Sequence, residues 1–422
     1  MTTKTNEENL AQDVSVSSPV KSGWTLRKWL YSLGPGLITA ALVFGPSKMT
    51  ISSKMGAVYG YQLIWIVVAA ILFMNVFTSM AARIGLATKQ SFLSTIRLKW
   101  GKSFGIFMGI GIFLVTSSFQ AGNSIGTGIS LEELTGVSRV VWIVLFNLFS
   151  IALLFFRGFY KILEKIMILL IVFMLFSFIT TVIMVKPDLT AIFVGLKPSI
   201  PAGSTGLIIA FTASCFSIVG AFYQSYLVQE RRRVMPGIEQ KSTDNTPGIL
   251  LLGLMAIFVI ICAATVLYPT HATVNNAGDM ARALEPLFGK HASQLFLFGL
   301  FGASFSSLIG NATVGGTLLS DALGYGNQLS SNITKGLIAL VMIIGAFVAI
   351  RFGKLPLELI VLAQSTTILI VPFLGIAMYL ISNDKKIMGN YTNSGLVKLI
   401  GVIGLFVLLG LAVVNVRELF FK

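Results

Sequence analysis

Long apolar runs, separated by short clusters of glycine, proline and charge, organise almost the whole chain. A helix that crosses the hydrocarbon core of a bilayer needs roughly 20 apolar residues, and eleven runs approach that length. They predict helices near 32–58, 60–82, 104–131, 139–156, 162–185, 205–229, 248–269, 291–320, 336–350, 358–382 and 396–416. The expected fold class is therefore an all-α integral membrane protein with about eleven transmembrane helices.

Composition agrees. Of 422 residues, 55% are hydrophobic and 11% charged, whereas soluble domains are usually about a quarter charged. Length thus sets the number of spans and not a number of soluble domains. Residues 1–28 are polar and lack an apolar region ending at a cleavage site, so they read as a retained, flexible cytoplasmic tail, with 29–422 as the membrane domain.

The net charge of +15 does not point to nucleic acid, because the basic residues are scattered between spans. With the N-terminus in the cytoplasm, twenty of the 31 Lys and Arg residues fall on the cytoplasmic side and nine opposite. The positive-inside rule then predicts N-in and C-out for a multi-pass protein of a bacterial-type inner or plasma membrane. Arg231-Arg232-Arg233 fits that rule, and binding of anionic lipid headgroups is the competing reading. Cys215 and Cys262 both sit in apolar runs without a CxxC and read as packing residues.

Backbone punctuation inside two spans is more informative, since unpaired N–H and C=O groups are costly in hydrocarbon. The first span holds Phe44-Gly45-Pro46-Ser47-Lys48, and the sixth holds Ser214-Cys215-Phe216-Ser217-Ile218-Val219-Gly220. A proline kink or small-residue helix packing would explain either break alone. Breaks in corresponding places of two five-span halves instead point to an inverted-repeat transporter with a midplane site. The repeats would run over about 32–185 and 205–382, with an extra helix at about 396–416.

A set of strings then carries a family resemblance. Gly34-Pro35-Gly36-Leu37 opens the first span, Tyr59-Gly60-Tyr61-Gln62-Leu63-Ile64-Trp65 opens the second and Ala81-Ala82-Arg83-Ile84-Gly85-Leu86-Ala87-Thr88 closes it. Ile125-Gly126-Thr127, Tyr226-Leu227-Val228-Gln229, Ala283-Leu284-Glu285-Pro286-Leu287-Phe288-Gly289, Gln364 with Val371-Pro372-Phe373, and Lys386-Ile387-Met388-Gly389 follow in order. From Gly34 to Asn415 the chain resembles the Nramp family of proton-coupled divalent metal transporters. The resemblance implies a LeuT-type 5+5 inverted repeat with discontinuous helices 1 and 6, secondary active transport by alternating access, and no enzymatic activity or cofactor.

The family's metal chemistry is not matched. Its first-span Asp-Pro-Gly-Asn motif reads Gly45-Pro46-Ser47-Lys48, and its sixth-span Met-Pro-His motif falls on Ser217-Ile218-Val219. Its acidic third-span positions align with Gln120 and Asn123, and a further first-span aspartate with Ser52. Every one of the 16 acidic residues lies in a tail, loop or span end.

The substrate-binding set implied is Gly45, Pro46, Ser47, Lys48, Ser217, Val219, Gly220 and Gln364. Lys48, Gln120, Asn123, Ser52 and Asn311 are pathway or coupling candidates, and no metal ligand set is assigned. An intramembrane lysine by default marks function, snorkelling or neutral burial being the alternatives for Lys48. Facing a cavity beside the start of a half-helix, it suits a small anionic or carboxylate-bearing solute. With its pKa lowered by burial it would also serve as carrier of a coupling proton.

The rival expectation keeps divalent metal transport through Ser47, Ser217, Gln364 and backbone carbonyls. Gln364 either orients the ligand or bonds helix backbone. Ser306, Ser307, Asn311 and Thr317 either line the path or glue helices together. Lys54 reads as a snorkelling residue, and His271 and His291 as solvated ones. A sensor or scaffold would call for an appended soluble domain, and an enzyme for paired acid, base or nucleophile groups. Neither is found, so the partners are the bilayer and a small ion or solute.

Overall fold

Gly45 and Pro46 split the first apolar run in two. The computed structural model describes residues 26–156, 158–215, 217–234, 245–275, 277–352 and 357–420. In it α1 (Leu26–Val43) stops short of the glycine and α2 (Pro46–Tyr59) starts at the proline. Leu42 would bond its carbonyl to the N–H of residue 46, which a proline lacks. Ala41 would use Gly45, whose N–H goes instead to the Val43 carbonyl at 3.1 Å. Pro46 then begins the new helix with φ already suited to the first helical turn.

The chain continues through α3 (Ile64–Ala87), α4 (Phe92–Trp100), α5 (Lys102–Thr135), α6 (Arg139–Leu154), α7 (Phe159–Val185) and α8 (Leu189–Val194). The sixth span is broken as well, into α9 (Thr205–Cys215) and α10 (Ile218–Val234). There follow α11 (Thr246–Val266), α12 (Ala277–Phe288), α13 (Lys290–Leu323), α14 (Asn332–Phe352), α15 (Leu357–Ser382), α16 (Lys385–Met388) and α17 (Gly395–Phe420).

Among the described residues, eight helices are long and apolar enough to cross a membrane, the joined α9–α10 pair included. The α1–α2 pair, α6 and α15 occupy the three remaining apolar runs that the sequence predicts as spans. Segments read as loops hold α4, α8, α12 and α16, which are too short or too polar to register as spans. Helix α4 is nonetheless built like a helix: the Ser91 hydroxyl caps it by accepting from Ser94 N–H at 3.0 Å.

The two longest helices, α5 and α13, have 34 residues each, or about 50 Å at 1.5 Å per residue. They pack along each other at the centre of the molecule, with α1, α7 and α14 against α13. Glycine makes the closest approaches possible. A β-carbon on Gly126 of α5 would lie 2.6 Å from Pro46 Cβ, and one on Gly220 of α10 would lie 2.6 Å from Val43 Cγ2. The first approach seats the break of the first span on α5. The second brings the two breaks against each other.

The arginine run at the end of α10 is engaged within the protein. Arg231 lies 3.9 Å from the buried Glu164 of α7, Arg233 donates to Glu230 at 2.5 Å, and Arg232 donates to the Leu86 carbonyl of α3 at 3.2 Å. The run thus ties helix ends together, which a headgroup-binding patch would not require. Cys262 is buried and free, as a packing cysteine should be, while the side chain of Cys215 lies outside the described residues. His271 and His291 are exposed.

Candidate functional site

A cavity of about 60 Å³ lies where the two breaks meet. Gly45, Ser47 and Lys48 line it from the first break, and Ser214, Ser217, Val219 and Gly220 from the second. Asn123 of α5, Ser307 and Asn311 of α13, and Thr367 and Val371 of α15 complete much of the wall. Two segments separated by about 170 residues of sequence are therefore brought to one place, as the paired breaks predict.

Each cavity side chain is held by a local reason. Lys48 sits in the first turn of α2 and is 1% exposed. Gly45, with no side chain to cap it, is the N-cap of that helix, so the positive end of the α2 dipole adds to the lysine's positive potential. The Ser217 hydroxyl accepts the Gly220 N–H at 3.3 Å, and the Ser217 carbonyl accepts the Ala221 N–H at 2.8 Å, which starts α10. Ser47 Oγ lies 3.2 Å from where a β-carbon on Gly122 would stand, so α5 leaves just enough space for it.

Of the other expected residues, Pro46, Ser52 and Gln120 stand behind the wall, while Asn123 and Asn311 line it. Pro46 packs on Gly126 instead of facing the cavity. Ser52 is fully buried within α2 and is not among the lining residues. Gln120 lies against Gly345 of α14 and donates to the Leu308 carbonyl at 2.9 Å. Asn123 donates to the Ser307 carbonyl at 3.1 Å, and Asn311 to the Thr116 carbonyl at 2.6 Å and to Gln120 Oε1 at 3.3 Å. These amides crosslink α5 and α13. The side chain of Gln364 lies outside the described residues.

Thr116 and Phe119 of α5 and Thr367 of α15 also line the cavity and were not singled out from the sequence, and Val371, quoted there only for the family resemblance, joins them. Their signal is helical spacing. Thr116, Phe119 and Asn123 stand at i, i+3 and i+7, one face of a helix. Thr367 and Val371 repeat the pattern at i and i+4.

The described residues define the class: an all-helical membrane protein with its cavity between two broken helices, the architecture of LeuT-type transporters. The family model for natural resistance-associated macrophage protein-like (Nramp) proteins matches residues 36–418. The chain belongs to the Nramp family. The divalent metal cation transporter MntH of Deinococcus radiodurans is 25% identical over 382 residues, covering 86% of this chain and 84% of that one. The manganese transporter of Eremococcus coleocola superimposes with a TM-score of 0.78 at 20% identity, over 96% of this chain and 91% of the other. A Na⁺-coupled sialic acid symporter shares the fold more distantly, with a TM-score of 0.61 at 15% identity over 92% and 89%.

Proposed function

We propose that this Nramp-family transporter works by alternating access and carries a small anionic or carboxylate-bearing solute. The observation that carries the reading is Lys48, buried in the cavity wall at the positive end of α2. Among the described residues no group of three or more His, Cys, Asp or Glu side chains is placed to hold a metal ion. At an effective dielectric of about 20, a lysine and a divalent ion about 4 Å apart repel by roughly 8 kcal/mol. Neutral hydroxyl and amide oxygens return little of that, because hard divalent ions generally take a carboxylate among their ligands. The fold itself leaves the substrate open, since a sialic acid symporter shares it.

A second reading, divalent metal transport, is favoured by the relatives, which are named as divalent metal cation and manganese transporters. On that reading Ser47, Ser217, Gln364 and backbone carbonyls would be the ligands, and Lys48 would have to be neutral or turned away. The residues of this chain favour the first reading and its kinship favours the second. The same proposal places the N-terminus in the cytoplasm, the C-terminus outside, and the repeats at about 32–185 and 205–382.

Calorimetric titration of the purified protein and of Lys48→Ala with Mn²⁺, Mg²⁺ and a panel of small anions and carboxylates separates the readings. Saturable carboxylate or anion binding that Lys48→Ala abolishes, without heat from metals, supports the first. Saturable metal binding that survives or strengthens in Lys48→Ala overturns it in favour of the second.

A further inference from the structure

Between α7 and α9, away from the apolar runs that predict spans, a short stretch of chain presents large apolar side chains to its surroundings. Leu189, Phe193, Val194 and Ile200 are 67–72% exposed, although α8 has only 6 residues and cannot cross a bilayer. The stretch is firmly built. Lys186 ends α7 in the left-handed conformation (φ 49°) and turns the chain off the line of that helix. The Asp188 carboxylate then caps α8, accepting the Thr190 N–H at 2.8 Å and the Ala191 N–H at 3.2 Å.

Beyond α8 the chain is pinned to the turn at 61–65. The Gly195 carbonyl accepts the Trp65 N–H at 3.2 Å, the Ser199 carbonyl accepts the Trp65 indole N–H at 2.9 Å, and the Ser199 hydroxyl donates to the Gln62 carbonyl at 3.3 Å. A β-carbon on Gly195 would stand 2.1 Å from the Tyr61 carbonyl oxygen, so glycine is what permits the approach. Apolar side chains held out by a segment this well fixed make a surface that calls for a partner.

The neighbouring helix shows which partner. Along α7, Leu169, Val172, Phe176, Ile179 and Ile183 recur every three or four residues and are 41–68% exposed, and an outward apolar stripe of that period on a membrane-spanning helix faces lipid. Leu189, Phe193, Leu196 and Ile200 resume the same spacing past the end of the span. Lys186 and Lys197, both exposed, flank α8. Lysines so placed lay their stems along apolar surface and keep the ammonium among headgroups.

We infer that residues 189–200 form a membrane-surface anchor whose partner is phospholipid. The apolar side chains sink about 5–10 Å into the boundary between headgroups and acyl chains, in the leaflet to which α2 runs, and Lys186 and Lys197 meet lipid phosphates. Continuity with the lipid-facing stripe of α7, together with the two flanking ammonium groups, selects lipid over a second copy of the chain. The anchor grips the turn that follows α2, and its far end leads into α9. Those two half-helices line the cavity at their other ends, through Ser47 and Lys48 and through Ser214. The leaflet thereby helps to hold both in place, whichever solute the cavity takes.

The test puts Phe193→Cys or Leu189→Cys into the full chain carrying Cys215→Ala/Cys262→Ala, labels the new thiol with the environment-sensitive fluorophore NBD, and reconstitutes one copy per lipid nanodisc. Both labels should emit to the blue, be quenched by phosphatidylcholine spin-labelled near the top of its acyl chain, and be quenched by iodide several-fold less than a label at His291→Cys, an exposed position. Hydroxyl-radical footprinting of the unlabelled wild type in the same discs needs no substitution, and Phe193 and Ile200 should be protected relative to His291. Iodide quenching at 189 and 193 as strong as at 291, or oxidation of Phe193 and Ile200 without protection, overturns the proposal. Protection that appears only in discs loaded with two copies assigns the patch to a second copy and overturns it as well.

Discussion

Returning an aspartate to position 45, where the Nramp motif carries one, asks whether charge alone keeps metal out of this cavity. Gly45 has φ −107° and ψ 178°, a conformation open to any residue, so the obstacle is space. A β-carbon there would stand 2.9 Å from Ser307 Oγ, 3.1 Å from Ser307 Cβ and 3.1 Å from Asn123 Oδ1. Neither neighbour yields freely: the Ser307 hydroxyl bonds the Leu42 carbonyl, and Asn123 bonds the Ser307 carbonyl, both at 3.1 Å.

Overpacking of this kind costs about 1–3 kcal/mol, and the new carboxylate would face an amide oxygen. Gly45→Asp is therefore expected to melt a few degrees lower by tryptophan fluorescence and to give no saturable Mn²⁺ heat while Lys48 remains. Gly45→Asp/Lys48→Asn removes the repulsion and is the variant in which weak Mn²⁺ binding should first appear. A Gly45→Asp protein with wild-type stability that binds Mn²⁺ saturably would refute both the steric and the electrostatic argument.

Three further outcomes follow from the packing. Gly126→Ala puts a β-carbon 2.4 Å from Ser304 Oγ and 2.6 Å from Pro46 Cβ; it should cost about 1–3 kcal/mol and abolish uptake into proteoliposomes by shifting the first break. Glu164→Ala removes the carboxylate 3.9 Å from the buried Arg231; a loss of about 1–3 kcal/mol is expected in denaturant unfolding, and an unchanged midpoint would place the tie between α7 and α10 elsewhere. At the membrane surface, the hydrogen bond from Lys99 holds the Asp384 carboxyl below the usual carboxylate range. A depressed folded-state pKa means the pair's stability is present above the ordinary aspartate value near 4 and is lost as pH falls through the lowered one. Lys99→Met should accordingly shrink the fall in melting temperature between neutral and acidic pH, and an undiminished fall would place the sensitivity elsewhere.

How much of this was legible in the chain differs from element to element. The eleven crossings follow from apolar run length alone, because a bilayer demands about 20 residues per helix whatever the partners are. The first break follows from Gly45-Pro46, because a missing N–H is a local property of proline. Lys48 as a cation placed at that break is also a matter of residue order.

Only tertiary structure decided what each polar side chain faces. Gln120 and Pro46 carry the same sequence signal as the cavity residues, yet close approaches at Gly345 and Gly126 turn them into packing. Asn123 and Asn311 crosslink α5 and α13 while still reaching the cavity. Ser306 and Ser307 meet the orphaned carbonyls of α1 across some 265 residues of sequence. Local chemistry dictates where a helix must break and which groups are left unsatisfied, but the partner that satisfies them is chosen by packing between distant helices, and no local pattern in the chain records that choice.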